Sequence, residues 1–441
     1  MQKYTFKIYG QKEMKQYLII SIMLISLFTI SCQSKENIGS NKNYEKVNNE
    51  NINQNTNPEL ALLEKNNAYN NQNNKLRVHQ NEKSNELNIY NSRRNAITRA
   101  IAVASPAVVG INVTEIKTVN VPTRRFNNAF FDRFFKRHRR YKKKSYEVKG
   151  GGSGFIISKD GYILTNHHVA GNAAEIIVTL TNGKDYQAEI IGSDIVSDVA
   201  LLKIDAQNLP YMKLDKSNEV IIGEWAIAMG NPFGLFDKNA KPTVTVGVVS
   251  NTGVSFVHNE NNDRRVYKNM IQSDAAISSG NSGGPLLNSN GEVIGMNTMI
   301  FSTSHDKNGS GSIGIGFSIP IRRVMDIVEK LKSGYKIERN FYTGIEPIQI
   351  TERIANYFKL EEGFEGLIIN RITKNSPADM ANFEPGDIIL EINGNEIKDI
   401  EDYSINIFDS ETGDRLKFLI LHDNKMVEKN LLLIPRPRRF R

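Results

Sequence analysis

From Ala107 onward the chain is written in short apolar runs cut by turn residues: AVVGINV, GFIIS, YILT, EIIVTL, AEIIG, VALLKI, WAIAMG, TVTVGVVS, EVIGMNTMI and IGFSI. Between them sit Lys-Asp-Gly at 159–161, Thr-Asn-Gly at 181–183 and Ser-Asn-Gly at 289–291. Short β-prone runs closed by Asn-Gly and Asp-Gly suit strands joined by tight turns, and they predict an all-β barrel or sandwich. No strand–helix alternation appears before Arg322. There, RRVMDIVEKLKSG places Val324, Ile327, Val328 and Leu331 on one helical face and stops at Gly334. A short helix is also expected near Arg93, running through AITRAIAVA before Pro106. A second β-rich unit begins at about Phe341 and carries EPGDIILEINGNEI. The fold class is therefore mostly β, with two structured units joined by a helix.

A length of 441 residues leaves room for two to three domains. With Gly counted and Tyr left out, apolar residues make up about 43% of the chain, a little under the globular norm of about 45–50%, which suggests folded domains diluted by a polar segment. Net charge is +8, but between Val121 and Gly150 eleven Lys and Arg face only Asp132 and Glu147, so the remainder is near neutral. A nucleic-acid-binding face should be basic more evenly, and no nucleic-acid partner is expected. One cysteine, Cys32, excludes an intramolecular disulfide and any cysteine-rich metal site. The seven histidines show no HExxH spacing, so neither a metal nor another cofactor is expected.

The N-terminus reads as an address. Lys3, Lys7, Lys12 and Lys15 precede YLIISIMLISLFTIS, Tyr17 to Ser31, which carries no charge. Fifteen residues are short for a spanning helix and suit the apolar core of a secretory signal over 1–32. Ser31-Cys32 after such a run resembles a bacterial lipobox, which would make Cys32 a lipidated N-terminus and tie the chain to a membrane. Thr29 departs from the leucine usual three residues before that cysteine. An uncleaved signal anchor and ordinary signal cleavage are the alternatives, and all three export the folded part. The stretch that follows, within 33–92, has eighteen Asn between Glu36 and Tyr90. Such composition buries too little apolar surface to offset the entropy of ordering, and a disordered tether is expected.

Three positions carry chemistry. Gly280-Asn281-Ser282-Gly283-Gly284-Pro285 has the glycines that a nucleophile loop needs to expose a hydroxyl and to aim backbone N–H groups at a developing oxyanion. An ordinary Gly-rich turn is the competing reading. Leu164-Thr165-Asn166-His167-His168-Val169 ends an apolar strand, and two adjacent histidines cannot face the same site. Asp194-Ile195-Val196-Ser197-Asp198 leads into the apolar run VALLKI, where Asp198 would be buried unless paired. The order His168, Asp198, Ser282 on a β scaffold is that of a chymotrypsin-type triad.

TNHHV, SDVALLKID and GNSGGP together resemble the HtrA (Deg) family of serine proteases, as do GNPFG (230–234), IQSDAAISSGNSGGPLLNSNGEVIGMNT (271–298) and IGFSIP (315–320). The resemblance covers about Ala100 to Ile434. It implies a chymotrypsin-like double β-barrel protease domain over 93–335, followed by a PDZ domain over 341–435. It makes Ser282 the nucleophile, His168 the base and Asp198 the orienting acid, with the N–H groups of Gly280 and Ser282 as the oxyanion hole. Primary specificity would fall near Ile277 and the 299–312 loop. Tyr342, Thr343, Gly344 and Ile345 sit where the family has the loop that takes a peptide's terminal carboxylate, with Thr343 replacing a usual apolar residue. One PDZ domain is expected, since six residues follow Pro435.

The resemblance further implies a homotrimer that degrades unfolded or damaged proteins; the exported chain is expected in the periplasm or cell envelope, with exposure at the surface or secretion as alternatives. Two rivals stand beside it: a chaperone or peptide-binding scaffold with a latent protease, and an adhesin-like lipoprotein that works through its basic loop. That loop, 124–149, reads as a solvated loop, a regulatory or trimer contact, or a polyanion-binding surface.

Overall fold

The structure, a computed structural model, describes residues 65, 92–122, 141–217, 219–231, 241–260, 263–278, 280–300, 314–361 and 363–437. The expected signal, Cys32, nearly all of the tether, residues 124–140 of the basic loop and residues 301–312 of the specificity loop lie outside the described residues. The sheets described below all fall within the unit Glu82–Arg441.

The helix expected before Pro106 is α1 (Ala96–Ala104), started by Asn95, whose side chain accepts from the Thr98 N–H at 3.0 Å. Six strands follow: β1 (Val108–Pro122), β2 (Tyr141–Ile156), β3 (Tyr162–Thr165), β4 (Glu175–Leu180), β5 (Asp185–Asp194) and β6 (Val199–Ile204). They close into a barrel in the order β1-β2-β3-β6-β5-β4. The turns read from the sequence are where they were expected, with Gly161 at φ +98° and Gly183 at φ +77°. A one-turn helix, α2 (His167–Ala170), interrupts the chain between β3 and β4.

A second barrel is built from β8 (Trp225–Gly230), β9 (Thr243–Glu260), β10 (Asp263–Ser273), β11 (Pro285–Leu287), β12 (Glu292–Ile300) and β13 (Gly316–Pro320). Its order is β11-β8-β9-β10-β13-β12, the ring closes by β11 pairing with β12, and the short β7 (Lys213–Leu214) adds parallel to β12. The helix read from RRVMDIVEKLK is α3 (Ile321–Lys332). Its Val324, Ile327, Val328 and Leu331 join the same core as Phe155, Leu202 and Met229. Leu331 packs against Gly192 so closely that a Cβ there would lie 2.8 Å from its Cδ2.

The C-terminal unit has its own core, around Leu367, Phe383, Ile392, Phe418 and Leu431. Its strands are β14 (Phe341–Tyr342), β15 (Ile345–Gln349), β16 (Leu367–Ile372), β17 (Ile388–Ile392), β18 (Asn395–Glu396), β19 (Arg415–His422), β20 (Lys425–Leu432) and β21 (Ile434–Pro435). The main sheet runs β15-β16-β17-β19-β20, β18 pairs with β17, and β14 pairs with β21. Three helices accompany it: α4 (Glu352–Phe358), α5 (Pro377–Met380) and α6 (Ile400–Phe408). Helix α6 is capped by Asp399, which accepts from the N–H groups of Glu401 and Asp402.

Candidate active site

The site is assembled from the two barrels. Strand β3 ends in Thr165, whose hydroxyl donates to the Ser153 carbonyl at 2.7 Å, and α2 then turns back at once. Asn166 and His167 grip the Asp198 backbone from that turn. The Asn166 amide and the His167 N–H both donate to the Asp198 carbonyl, at 3.0 and 3.2 Å. Asp198 sits at φ +58°, a left-handed conformation that Asp tolerates better than most residues, and it is fully buried. That kink swings its carboxylate under His168.

Asp198 receives His168 twice. The His168 N–H donates to Oδ1 at 3.0 Å, and His168 Nδ1 lies 2.9 Å from Oδ2 and 3.0 Å from Oδ1. The Thr298 hydroxyl donates to Oδ2 at 2.7 Å, and that of Tyr267 at 3.2 Å. Burial alone would push this carboxyl up. The facing His168, the Arg265 guanidinium and the Thr298 hydroxyl outweigh it and hold the group at about 2. Tyr267 is pushed the other way, well above its ordinary value, by burial and then by the Asp198 charge.

The two histidines part, as adjacent side chains must. His168 faces Asp198, while His167 is buried with Nδ1 3.1 Å from Ser193 Oγ. Burial pushes the His167 imidazole down, so it stays neutral at pH 7.

The serine loop comes from the second barrel and is pinned to the first. The Ser153 N–H donates to the Ser282 carbonyl at 2.9 Å, and the Ser153 hydroxyl to the Gly280 carbonyl at 2.6 Å. Gly283, at φ +83°, leaves room for neither a Cβ nor a shift: such an atom would lie 2.2 Å from the Ser153 carbonyl oxygen. The N–H groups of Asn281, Gly283 and Gly284 donate to the carbonyls of Ser278, Asn297 and Asn281. Among the described residues, no carbonyl accepts from the N–H of Gly280 or Ser282. Thr298 joins the two halves. Its hydroxyl holds Asp198, and its carbonyl accepts the Ser282 hydroxyl at 2.9 Å.

Ile277 is buried against Gly316 in the core of the second barrel. In the C-terminal unit, Gly344 has φ +83°, and a Cβ on it would lie 2.1 Å from the Ser376 side chain. The carbonyls of Thr343 and Gly344 accept from the N–H groups of Ala378 and Thr373, at 3.0 and 2.8 Å. The Thr343 hydroxyl accepts from the Ile345 N–H at 3.2 Å and lies 3.4 Å from the buried Tyr403 hydroxyl. Tyr342 and Ile345 flank this turn in β14 and β15.

Sequence reasoning passed over several residues here. Thr298, Tyr267 and Arg265 surround Asp198, and Arg339 grips Asp194 just before the Asp198 turn. The signal for Asp194 was present: it too is an acid buried in an apolar neighbourhood, and it needed a partner.

Two six-stranded barrels with a glycine-framed serine linked through Thr298 to a buried aspartate that holds a solvent-facing histidine, followed by a small sheet with a Gly344 turn, define the fold of a chymotrypsin-like serine protease with an appended PDZ domain. Family comparison agrees with that reading: the trypsin-like peptidase domain matches residues 152–296, and the PDZ domain matches residues 342–433. A probable periplasmic serine endoprotease, DegP-like, from Chlamydia trachomatis is 40% identical over 69% of this chain and 58% of its own length. The DegP-like protein of Marinomonas sp. is 36% identical over 77% of this chain and 71% of its own length. Among solved structures, the HtrA-type protease AlgW with a decapeptide is 35% identical and covers 77% of this chain and 98% of its own, with a TM-score of 0.55. The chain belongs to the HtrA (DegP-like) family of serine endoproteases. It spans about three fifths of the length of curated relatives such as the Chlamydia trachomatis protein, of which it covers 58%.

Proposed function

We propose that this chain is an exported serine endopeptidase, with a protease unit over 93–335 and a PDZ unit over 341–435. Ser282 attacks the scissile carbonyl. His168 takes the serine proton and returns it to the leaving amine, and Asp198 holds the imidazole and stabilises its charged form. The backbone N–H groups of Gly280 and Ser282 receive the oxyanion. The observation that carries this reading is the double hold of Asp198 on His168, through the backbone N–H and Nδ1 together, in a carboxylate buried from water.

The substrates are unfolded or damaged proteins of the cell envelope, in line with relatives named as periplasmic endoproteases. Peptide C-termini are taken by the turn Tyr342–Ile345 while the peptide adds a strand beside β15. AlgW structures carrying a decapeptide and a tripeptide support peptide capture by this architecture. The functional unit is a homotrimer, and Cys32 carries a lipid that tethers it to a membrane.

Diisopropyl fluorophosphate tests the nucleophile directly. Intact mass should show one adduct on the full chain, mapping to Ser282, and His168→Ala should slow its formation at least a hundredfold. An adduct elsewhere, or a rate unchanged by His168→Ala, would overturn the assignment.

A further inference from the structure

The Asp198 carboxylate has more around it than the three proposed catalytic groups require. Its two oxygens already take hydrogen bonds from the His168 N–H and Nδ1, the Thr298 hydroxyl and the Tyr267 hydroxyl. Beyond these, β10 brings in a full positive charge. Arg265 Nε lies 4.0 Å from Asp198 Oδ1, and the Arg265 side chain is 13% exposed. An arginine withdrawn from water costs free energy unless an anion faces it, and the anion facing this one is the acid that orients the proposed base.

The strand that carries Arg265 is held on both sides of it. Arg264, one residue before, lies over the Phe408 ring at 3.6 Å. Val266, one residue after, donates its N–H to the Val196 carbonyl at 2.8 Å and packs with Val196 and Ile405. Neighbouring side chains on a strand point to opposite faces, so Arg264 reaches the PDZ helix while Arg265 turns inward toward Asp198. Arg265 is thus delivered to the acid by a strand locked at the positions before and after it.

We propose that Arg265 is a positioning residue for the Asp198–His168 pair: its charge tempers the carboxylate's pull on the imidazole and so sets the pH at which the base becomes available. The inference rests on the serine-peptidase reading above. The charged and titratable groups around the pair are Arg265 and Tyr267 from β10, His167 from α2, and Asp194 at the end of β5 with Arg339 bound to it; Asp263 also acts on His167. Of the two cations, Arg339 is paired with Asp194 and Arg265 faces Asp198. Taking it away leaves Asp198 unopposed, so the protonated base becomes cheaper and the acid limb of the rate profile moves to higher pH.

The experiment uses the full chain as wild type, Arg265→Gln, Arg265→Met, Arg265→Lys and Ser282→Ala. Two rates are followed from pH 4.5 to 9: kcat/KM on a fluorogenic peptide, and modification of Ser282 by diisopropyl fluorophosphate. Both neutral variants should move the acid limb up by about half to one pH unit in both assays, while Arg265→Lys leaves it within about a quarter unit of wild type. Rates that fall equally at every pH, with the limb unmoved, would overturn the proposal. So would loss of cooperative unfolding in both neutral variants, which would make Arg265 a support of the barrel alone. Failure of the underlying reading looks different: wild type and Ser282→Ala would then behave alike in both assays.

Discussion

Arg339 grips Asp194 with two parallel hydrogen bonds, Nε to Oδ1 at 2.9 Å and a terminal nitrogen to Oδ2 at 2.7 Å, and both side chains are nearly shut off from water. The third guanidinium nitrogen donates to the carbonyls of Asp409 and Ser410, just past the end of α6. Asp194 Oδ2 in turn accepts from the Ser197 N–H at 3.1 Å, closing the turn that delivers Asp198. One side chain in the connection between the two units therefore holds both the turn before the proposed orienting acid and the end of a PDZ helix. Arg323 and Lys330 of α3 add ion pairs to Asp409 and Glu411 across the same seam.

Removing that guanidinium leaves a buried, uncompensated carboxylate and two carbonyls without their donor. Arg339→Leu should lower the unfolding free energy by about 3 kcal/mol in a guanidinium titration. A loss below about 1 kcal/mol would mean that the clamp is not structural.

Acid should act through Asp198. Its carboxyl is held at about 2 in the folded chain against an ordinary 3.8, so the folded state favours the charged form. That stability is fully present above pH 3.8 and is lost as pH falls toward 2, with a size of roughly 2 kcal/mol. Unfolding free energies measured from pH 5 down to pH 2 should fall less steeply in Asp198→Asn than in wild type. Parallel curves would contradict the balance described around this residue.

The turn proposed to take a peptide's C-terminus offers a separate handle. Gly344→Val would force a branched side chain into a left-handed backbone and onto Ser376. Binding of a hydrophobic C-terminal peptide, followed by fluorescence anisotropy, should weaken at least tenfold. Cleavage of a short peptide by the barrels should persist. Unchanged peptide binding would place the carboxylate site elsewhere.

Much of this architecture could be read from local sequence. The strands announced themselves through turns such as Lys-Asp-Gly and Thr-Asn-Gly, and α3 through the spacing of Val324, Ile327, Val328 and Leu331, because both signals are carried by neighbours in the chain. The motifs around His168, Asp198 and Ser282 stood out for a similar reason: each residue sits in a short stretch whose glycines and apolar flanks suit the role proposed for it. Thr298 and Tyr267 were not. They reach Asp198 across 100 and 69 residues of chain, through a barrel closure that no local pattern specifies. Arg339 meets Asp194 across 145 residues, beside the place where Ile405 of the PDZ helix packs on Val196 of the Asp198 turn. Arg264, Arg265 and Val266 show the limit plainly. Side by side in the sequence, they serve an aromatic ring, a buried carboxylate and an apolar cluster.

Ser282 carries the proposed activity. Casein should be cut by the purified full chain at neutral pH, and Ser282→Ala should lower the rate by several orders of magnitude, leaving at most the residual rate of an oxyanion site without its nucleophile. Cleavage that survives Ser282→Ala undiminished would contradict it.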